Sequence, residues 1–128
     1  YLHSSPTRRS SDLEKMFAAR AVTYAQPSVT KVGGITEFRK VAALAEASGV
    51  ALMPHSPYFG PGFLATLHLA AAQAVPNLVE RFYLKLEAKL YGDLIDPVHG
   101  EFRLPSGPGL GREPDPAVVE AYRVPDVA

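Results

Sequence analysis

The stretch Val50-Ala51-Leu52-Met53-Pro54-His55-Ser56-Pro57-Tyr58-Phe59-Gly60-Pro61-Gly62 joins a short apolar run to a loop rich in Gly, Pro and aromatic residues. The run is apolar at every position from Val50 to Met53, as a strand buried on both faces would be. Proline ends it, and histidine comes next. In α/β proteins, chemistry collects at the carboxyl ends of parallel strands. His55 sits at such an end.

Similar runs lie on either side. Ala21 to Gln26 (AVTYAQ) has β-branched and aromatic members and stops at Pro27, so it reads as a strand. Leu78 to Tyr83 (LVERFY) reads as a third. The three begin near Val22, Val50 and Leu78, 28 residues apart each time, which is the length of a β-α unit. Between the first two, Ile35, Phe38, Val41, Ala42 and Ala45 recur at helical spacing. Thr36 and Glu37 suit that helix's start, and Gly49 suits its stop. Between the second and third, Phe63 to Val75 is an Ala-rich apolar helix. Glu14 to Arg20 reads as the last two turns of a helix before the first strand.

The order (α)βαβαβ predicts parallel strands with right-handed helical crossovers. Either a doubly wound sheet or a (β/α) barrel uses it. Eight units of this length come to about 220 residues, close to the usual barrel size. Gly33-Gly34 does not form the glycine fingerprint of a dinucleotide-binding sheet. The expected fold is therefore α/β, a partial TIM-type (β/α) barrel carrying the last three parallel strands and their helices. A C-terminal hairpin and loop tail follows. Its hairpin centres on Pro97-Val98-His99-Gly100, and its short closing helix over Pro116 to Tyr122 is capped by Asp115.

Composition narrows the function. The formal charge is zero and no Lys/Arg cluster is present, which argues against nucleic acid as a partner. There is no cysteine, so disulfides and cysteine-based metal sites are excluded, and a cytoplasmic location fits. No apolar run is long enough for a membrane span.

The first thirteen residues, Tyr1 to Leu13 (YLHSSPTRRSSDL), have no useful periodicity. From His3 onward they resemble a translated sequencing adapter, HSFPTRRSSDL, differing at Ser5. Residues 1–13 are therefore expected to be non-native. Residues 14–93 are expected to form the barrel part, and residues 94–128 the tail packing toward the barrel or a capping domain.

Gln26-Pro27-Ser28-Val29-Thr30-Lys31-Val32-Gly33-Gly34-Ile35-Thr36 resembles the strand-six segment of the mandelate racemase and muconate lactonising group of the enolase superfamily. Ala45 to Val50 followed by Met53-Pro54-His55-Ser56 resembles its strand seven, and Leu78-Val79-Glu80-Arg81 its strand eight. Gly107-Pro108-Gly109-Leu110-Gly111 resembles its C-terminal tail. The likeness covers most of residues 14–123.

The resemblance implies a (β/α)7β barrel with a capping domain. It implies a magnesium ion that stabilises an enediolate formed by removing the proton α to a substrate carboxylate. His55 takes the position of a general base, and Glu80 that of a hydrogen-bond donor to the substrate carboxylate. The family aspartate that orients the histidine falls on Ser28, a departure. Serine can hydrogen-bond an imidazole but carries no charge to stabilise imidazolium. Lys31 and Tyr58 are candidate substrate contacts. The family's magnesium carboxylates and a strand-two lysine would all lie upstream of residue 14, so this chain is expected to supply no metal ligand. The implied activity is that of a sugar-acid dehydratase. The alternatives are a racemase or epimerase, or a non-catalytic relative that binds acid sugars. The implied partner is a small acid sugar or other carboxylate, and the implied assembly is a homo-oligomer. This polypeptide alone, with open strand edges, is expected to be inactive and prone to association.

His68, inside the apolar helix, is expected to be a satisfied packing residue. For His55 the plainer expectation is a backbone hydrogen bond. For Glu80 it is an ion pair with Arg81 or Lys85.

Overall fold

In the computed structural model the described residues are 10–75 and 77–124. Element order is α1 (Ser10–Ala18), β1 (Tyr24–Ala25), α2 (Ile35–Ala47), β2 (Ala51–Leu52), α3 (Pro61–Ala71), a 3-10 turn (Gly92–Ile95) and α4 (Pro116–Ala121). The fold is mixed α/β around a small parallel sheet. Strands β1 and β2 pair in parallel, Tyr24 opposite Ala51 and Ala25 opposite Leu52.

The pairing reaches further than the strand bounds. Ala51 N–H donates to Thr23 C=O at 3.1 Å, Met53 N–H to Ala25 C=O at 2.8 Å and His55 N–H to Pro27 C=O at 3.1 Å. Each step advances both chains by two residues, as a parallel ladder requires. His55 is thus fixed by its own backbone at the carboxyl end of β2.

Helix α2 forms where the apolar spacing predicted. Phe38, Val41, Ala42 and Ala45 are buried on one face. Gly34 rather than a side-chain cap opens it, and Gly49 follows it at φ 65°, a left-handed conformation that glycine adopts at little cost. Helix α3 starts at Pro61, whose missing N–H costs nothing in a first turn. It ends at Ala71, earlier than the sequence suggested. Ala25 and Leu52 bury against Phe38, Ala42 and Ala45 of α2, Ala65 and Leu69 of α3, and Phe17 of α1. Helix α1 begins at Ser10, inside the segment expected to be non-native, and its Leu13 packs against this cluster. Residues 1–9 of that segment and 125–128 of the tail lie outside the described residues.

Two expectations need correction. Ala51 and Tyr24 are exposed, so the sheet is covered on one face only. Among the described residues no second layer lies over the other face. The predicted third strand, residues 78–83, also does not form. Its backbone meets the chain that continues from β2 once, where Glu80 N–H donates to Pro54 C=O at 3.4 Å. The residues of β2 that face this segment are the even-numbered ones, and Pro54 has no N–H to give. At the next step the Ser56 hydroxyl donates to the Glu80 carbonyl at 2.7 Å, where a ladder would use a backbone N–H. Side chains here replace the ladder.

A second cluster holds the C-terminal half. Phe63, Leu64 and Leu67 of α3 bury against Tyr91 and Ile95, with Val79, Leu86, Phe102 and Leu110 around them. Phe63 and Phe102 meet edge to face at 5.2 Å between ring centroids. The expected hairpin turn is present. Val98 and Glu101 exchange backbone hydrogen bonds of 2.9 and 3.0 Å. His99 and Gly100, at φ 53° and 81°, have the positive angles of a type I′ turn. In the glycine-rich tail Gly111 is at φ 83°, and a Cβ there would lie 2.6 Å from the Pro105 carbonyl oxygen. Asp115 caps α4, accepting from Ala117 N–H at 2.8 Å and Val118 N–H at 3.4 Å.

Candidate active site

Backbone pairing brings the ends of β1 and β2 together, and the Glu80 backbone bond to Pro54 adds a third chain segment. His55 and Glu80 meet there. His55 Nδ1 lies 2.5 Å from Glu80 Oε2, with the side chains 16% and 28% exposed. That exposure leaves both groups reachable from solvent. Ser56 N–H also donates to Glu80 Oε2, at 3.3 Å. The Ser56 N–H contact makes this oxygen an acceptor, and the His55 contact does the same when the imidazole carries its proton on Nδ1. The expected pairing of Glu80 with Arg81 or Lys85 is not the one formed.

Ser28 goes elsewhere. Continuing the sheet register would set it opposite His55, but the chain turns at this residue. Lys31 N–H and Val32 N–H both return to the Ser28 carbonyl at 2.9 Å. The turn buries Ser28 completely. Its hydroxyl meets Tyr58 Oη at 3.1 Å and Thr30 Oγ1 at 3.0 Å. No hydrogen bond joins Ser28 to the His55 ring among the described residues.

Tyr58 is the hub of this hydroxyl cluster. Its Oη donates to the His55 carbonyl at 3.3 Å and lies 3.4 Å from Thr66 Oγ1. Thr66 in turn donates to the Gly62 carbonyl at 2.9 Å. The polar end of Tyr58 therefore points into the protein, while its ring packs against both apolar clusters. Gly62 leaves room for this arrangement: a Cβ there would lie 2.5 Å from Thr30 Cγ2. Lys31 is exposed, on the turn that follows Ser28. His68 Nε2 lies 3.1 Å from the Leu110 carbonyl, which ties α3 to the glycine-rich tail.

Beside Glu80 stands a clamp that sequence reasoning did not single out. The Arg81 side chain is 10% exposed, and its Nη2 lies 2.5 Å from Asp96 Oδ1. It also donates to the Ile95 carbonyl at 3.0 Å and the Phe82 carbonyl at 2.6 Å. The guanidinium lies over the rings of Phe59 and Tyr83, 5.5 and 5.1 Å from their centroids. Lys89 pairs with the other oxygen of Asp96. Lys89 and then Arg81 hold the Asp96 carboxyl below its ordinary value, against an opposing effect of burial. Asp96, and less strongly Asp93, push Lys89 above its own. A sequence signal existed in part: Arg, Lys and Asp recur around apolar positions from 81 to 96, but without a period.

Magnesium, implied by the family likeness, can be tested against these residues. No group of three or more His, Asp or Glu side chains that could hold a metal ion exists among the described residues. The two side chains at the strand ends engage each other. The residues present do not form a magnesium site. A cleft of about 930 Å³ lined by Tyr91, Arg103, Arg112 and Asp115, among others, includes neither His55 nor Glu80. It mixes acidic and basic groups, and no histidine is among its lining residues.

A partly buried histidine-carboxylate pair thus stands at the carboxyl end of a parallel β-α-β unit. The chain belongs to the enolase C-terminal domain-like family, whose sequence profile matches residues 7–118. It is 34% identical over 117 residues to a D-galactonate dehydratase from Ralstonia pickettii, covering 84% of this chain and 30% of that protein. It is also 34% identical over 106 residues to an arabinonate dehydratase from Saccharolobus solfataricus, covering 81% and 28%. The chain thus spans under a third of these curated relatives. Among solved structures, a mandelate racemase/muconate lactonizing enzyme-like protein from a Roseovarius species superposes with TM-score 0.71 at 31% identity, over 91% of this chain and 29% of that one. An L-talarate dehydratase from a Polaromonas species, complexed with Mg and L-glucarate, gives 0.51 at 36% identity over 58% and 18%. No helix of the described residues is long and apolar enough to cross a membrane.

Proposed function

We propose that this chain is the C-terminal part of a (β/α) barrel enzyme that removes the proton α to the carboxylate of a sugar acid and eliminates water from it. The observation that carries this is the His55–Glu80 contact of 2.5 Å at the carboxyl end of the parallel unit. A neutral imidazole held there can take a carbon-bound proton in one step and return a proton in the next. Relatives named as dehydratases of galactonate and arabinonate support the substrate class. The bare sheet face with Tyr24 and Ala51, opposite the helices, is the one that would line the interior of a closed barrel. Any magnesium would be held by carboxylates other than those described. Lys31, on the exposed turn after Ser28, is the candidate for contact with the substrate's charge.

Racemisation shares the first step and is favoured by the likeness to racemase-type structures. Product separates the two: a dehydratase releases a keto-deoxy acid and water, a racemase only the inverted substrate. The test uses the full-length product of the gene that encloses this chain, assayed on a panel of sugar acids. His55→Asn is expected to lower turnover by about a hundredfold or more, the usual contribution of an acid/base group. Unchanged turnover would remove His55 from the chemistry.

A further inference from the structure

In the family pattern a strand-six carboxylate orients the histidine, and in this chain serine stands in that place. We propose that Glu80 replaces that carboxylate as the positioning residue, holding the His55 ring through Nδ1 and leaving Nε2 to exchange the proton with substrate. This rests on the acid/base reading of His55 given above.

Four observations converge on it. Glu80 Oε2 lies 2.5 Å from Nδ1, whereas the Ser28 hydroxyl is turned away into contacts with Tyr58 and Thr30. Glu80 is held from several sides: Ser56 N–H at 3.3 Å on Oε2, the Ser56 hydroxyl at 2.7 Å on its carbonyl, and Pro54 C=O accepting its N–H. The next residue, Arg81, is clamped between two rings and bonded to Asp96 and the Ile95 carbonyl, which fixes the backbone that carries Glu80. His55 is held at both ends of its own backbone, by Pro27 C=O on its N–H and by Tyr58 Oη on its carbonyl. Ring and carboxylate therefore meet as two anchored groups.

A carboxylate at Nδ1 selects the tautomer with the proton on Nδ1, because only that form can donate to it. The lone pair is then on Nε2. When Nε2 forms its bond to the α proton, the C–H bond breaks and its electron pair stays with the substrate. The Nδ1 proton does not move, and the charge of Glu80 balances the imidazolium so formed. Serine at residue 28 could orient the ring but could not supply that charge. The same contact commits Oε2 to accepting, so it is not the donor that the family pattern assigns to this position.

The test is long-range 1H–15N NMR of the histidine rings in the full-length protein that encloses this chain, with the His55 signals identified by their loss in His55→Asn. The neutral His55 ring is expected as the Nδ1–H tautomer. Glu80→Ala should shift the tautomer ratio toward Nε2–H by about tenfold or more, the worth of one charge-assisted hydrogen bond. Ser28→Ala should leave it unchanged. In Glu80→Gln, which keeps the shape if the Ala variant does not fold, the strongly deshielded Nδ1 proton should move upfield. A wild-type ring that is mainly Nε2–H, or a ratio that follows Ser28 and ignores Glu80, would overturn the proposal. The readout needs no turnover, so it can fail while His55 remains the base, and the converse also holds.

Discussion

The two halves of the molecule are held by different means. From Tyr24 to Ala71 a backbone ladder and two apolar helix faces hold the chain. From Val79 to Leu110 the ladder fails after one bond, and a guanidinium, a serine hydroxyl and a tight turn replace it. The comparison teaches where precision at the site comes from. His55 is positioned by periodic structure, and Glu80 by side chains. A ladder tolerates most surface substitutions because its bonds are made by backbone. A side-chain clamp has no such redundancy.

The comparison can be broken first in the ladder half. Phe38 is fully buried in the core beneath the sheet. Phe38→Ala is expected to cost about 3–5 kcal/mol, enough to unfold much of the population in a marginally stable chain. Thermal or denaturant unfolding of the variant would check it, and a loss under about 1 kcal/mol would mean the core is not closed there. In the other half, Asp96→Ala leaves the Arg81 guanidinium poorly exposed and short of a carboxylate partner. The expected cost is about 2 kcal/mol. Hydrogen exchange should speed up at residues 80–96 while α2 keeps its protection. Equal loss in both halves would mean that they do not unfold separately.

Acid should act on the same clamp. Asp96 is held below its ordinary value in the folded chain, so its contribution is complete above that value and is lost as pH falls through the folded one. Exchange at residues 80–96 is expected to quicken below about pH 4, and Asp96→Asn should blunt that response. The smallest effect is expected at α4, which buries no side chain. Asp115→Ala removes its cap and should cost about 1 kcal/mol, confined to fraying of that helix.

The same division explains what could be read from the sequence. Helix α2 was legible because Phe38, Val41, Ala42 and Ala45 carry a period that only a helix explains. Strands β1 and β2 were placed correctly, though only two residues of each keep strand geometry. The segment 78–83 looked equally strand-like. Its failure depends on Pro54, a residue 26 positions before Glu80 that cannot donate, and on the competing Ser56 hydroxyl. No local pattern contains that information. His55 and Glu80 were both identifiable as site candidates, but not their contact, because pairing across segments has no period. Ser56, Thr30 and Thr66 were missed for a related reason. Small hydroxyl residues are common in turns and helices, and only the fold gives these three their partners, Glu80 for Ser56, Ser28 for Thr30 and Tyr58 for Thr66.

The central claim is that His55 moves the proton α to a carboxylate. Its most direct measurement is exchange of that proton with solvent deuterium, followed by NMR on a bound sugar acid in the enclosing full-length protein. The wild-type protein should wash deuterium into the α position of its substrate, and His55→Asn should not. Equal incorporation by both would contradict the account.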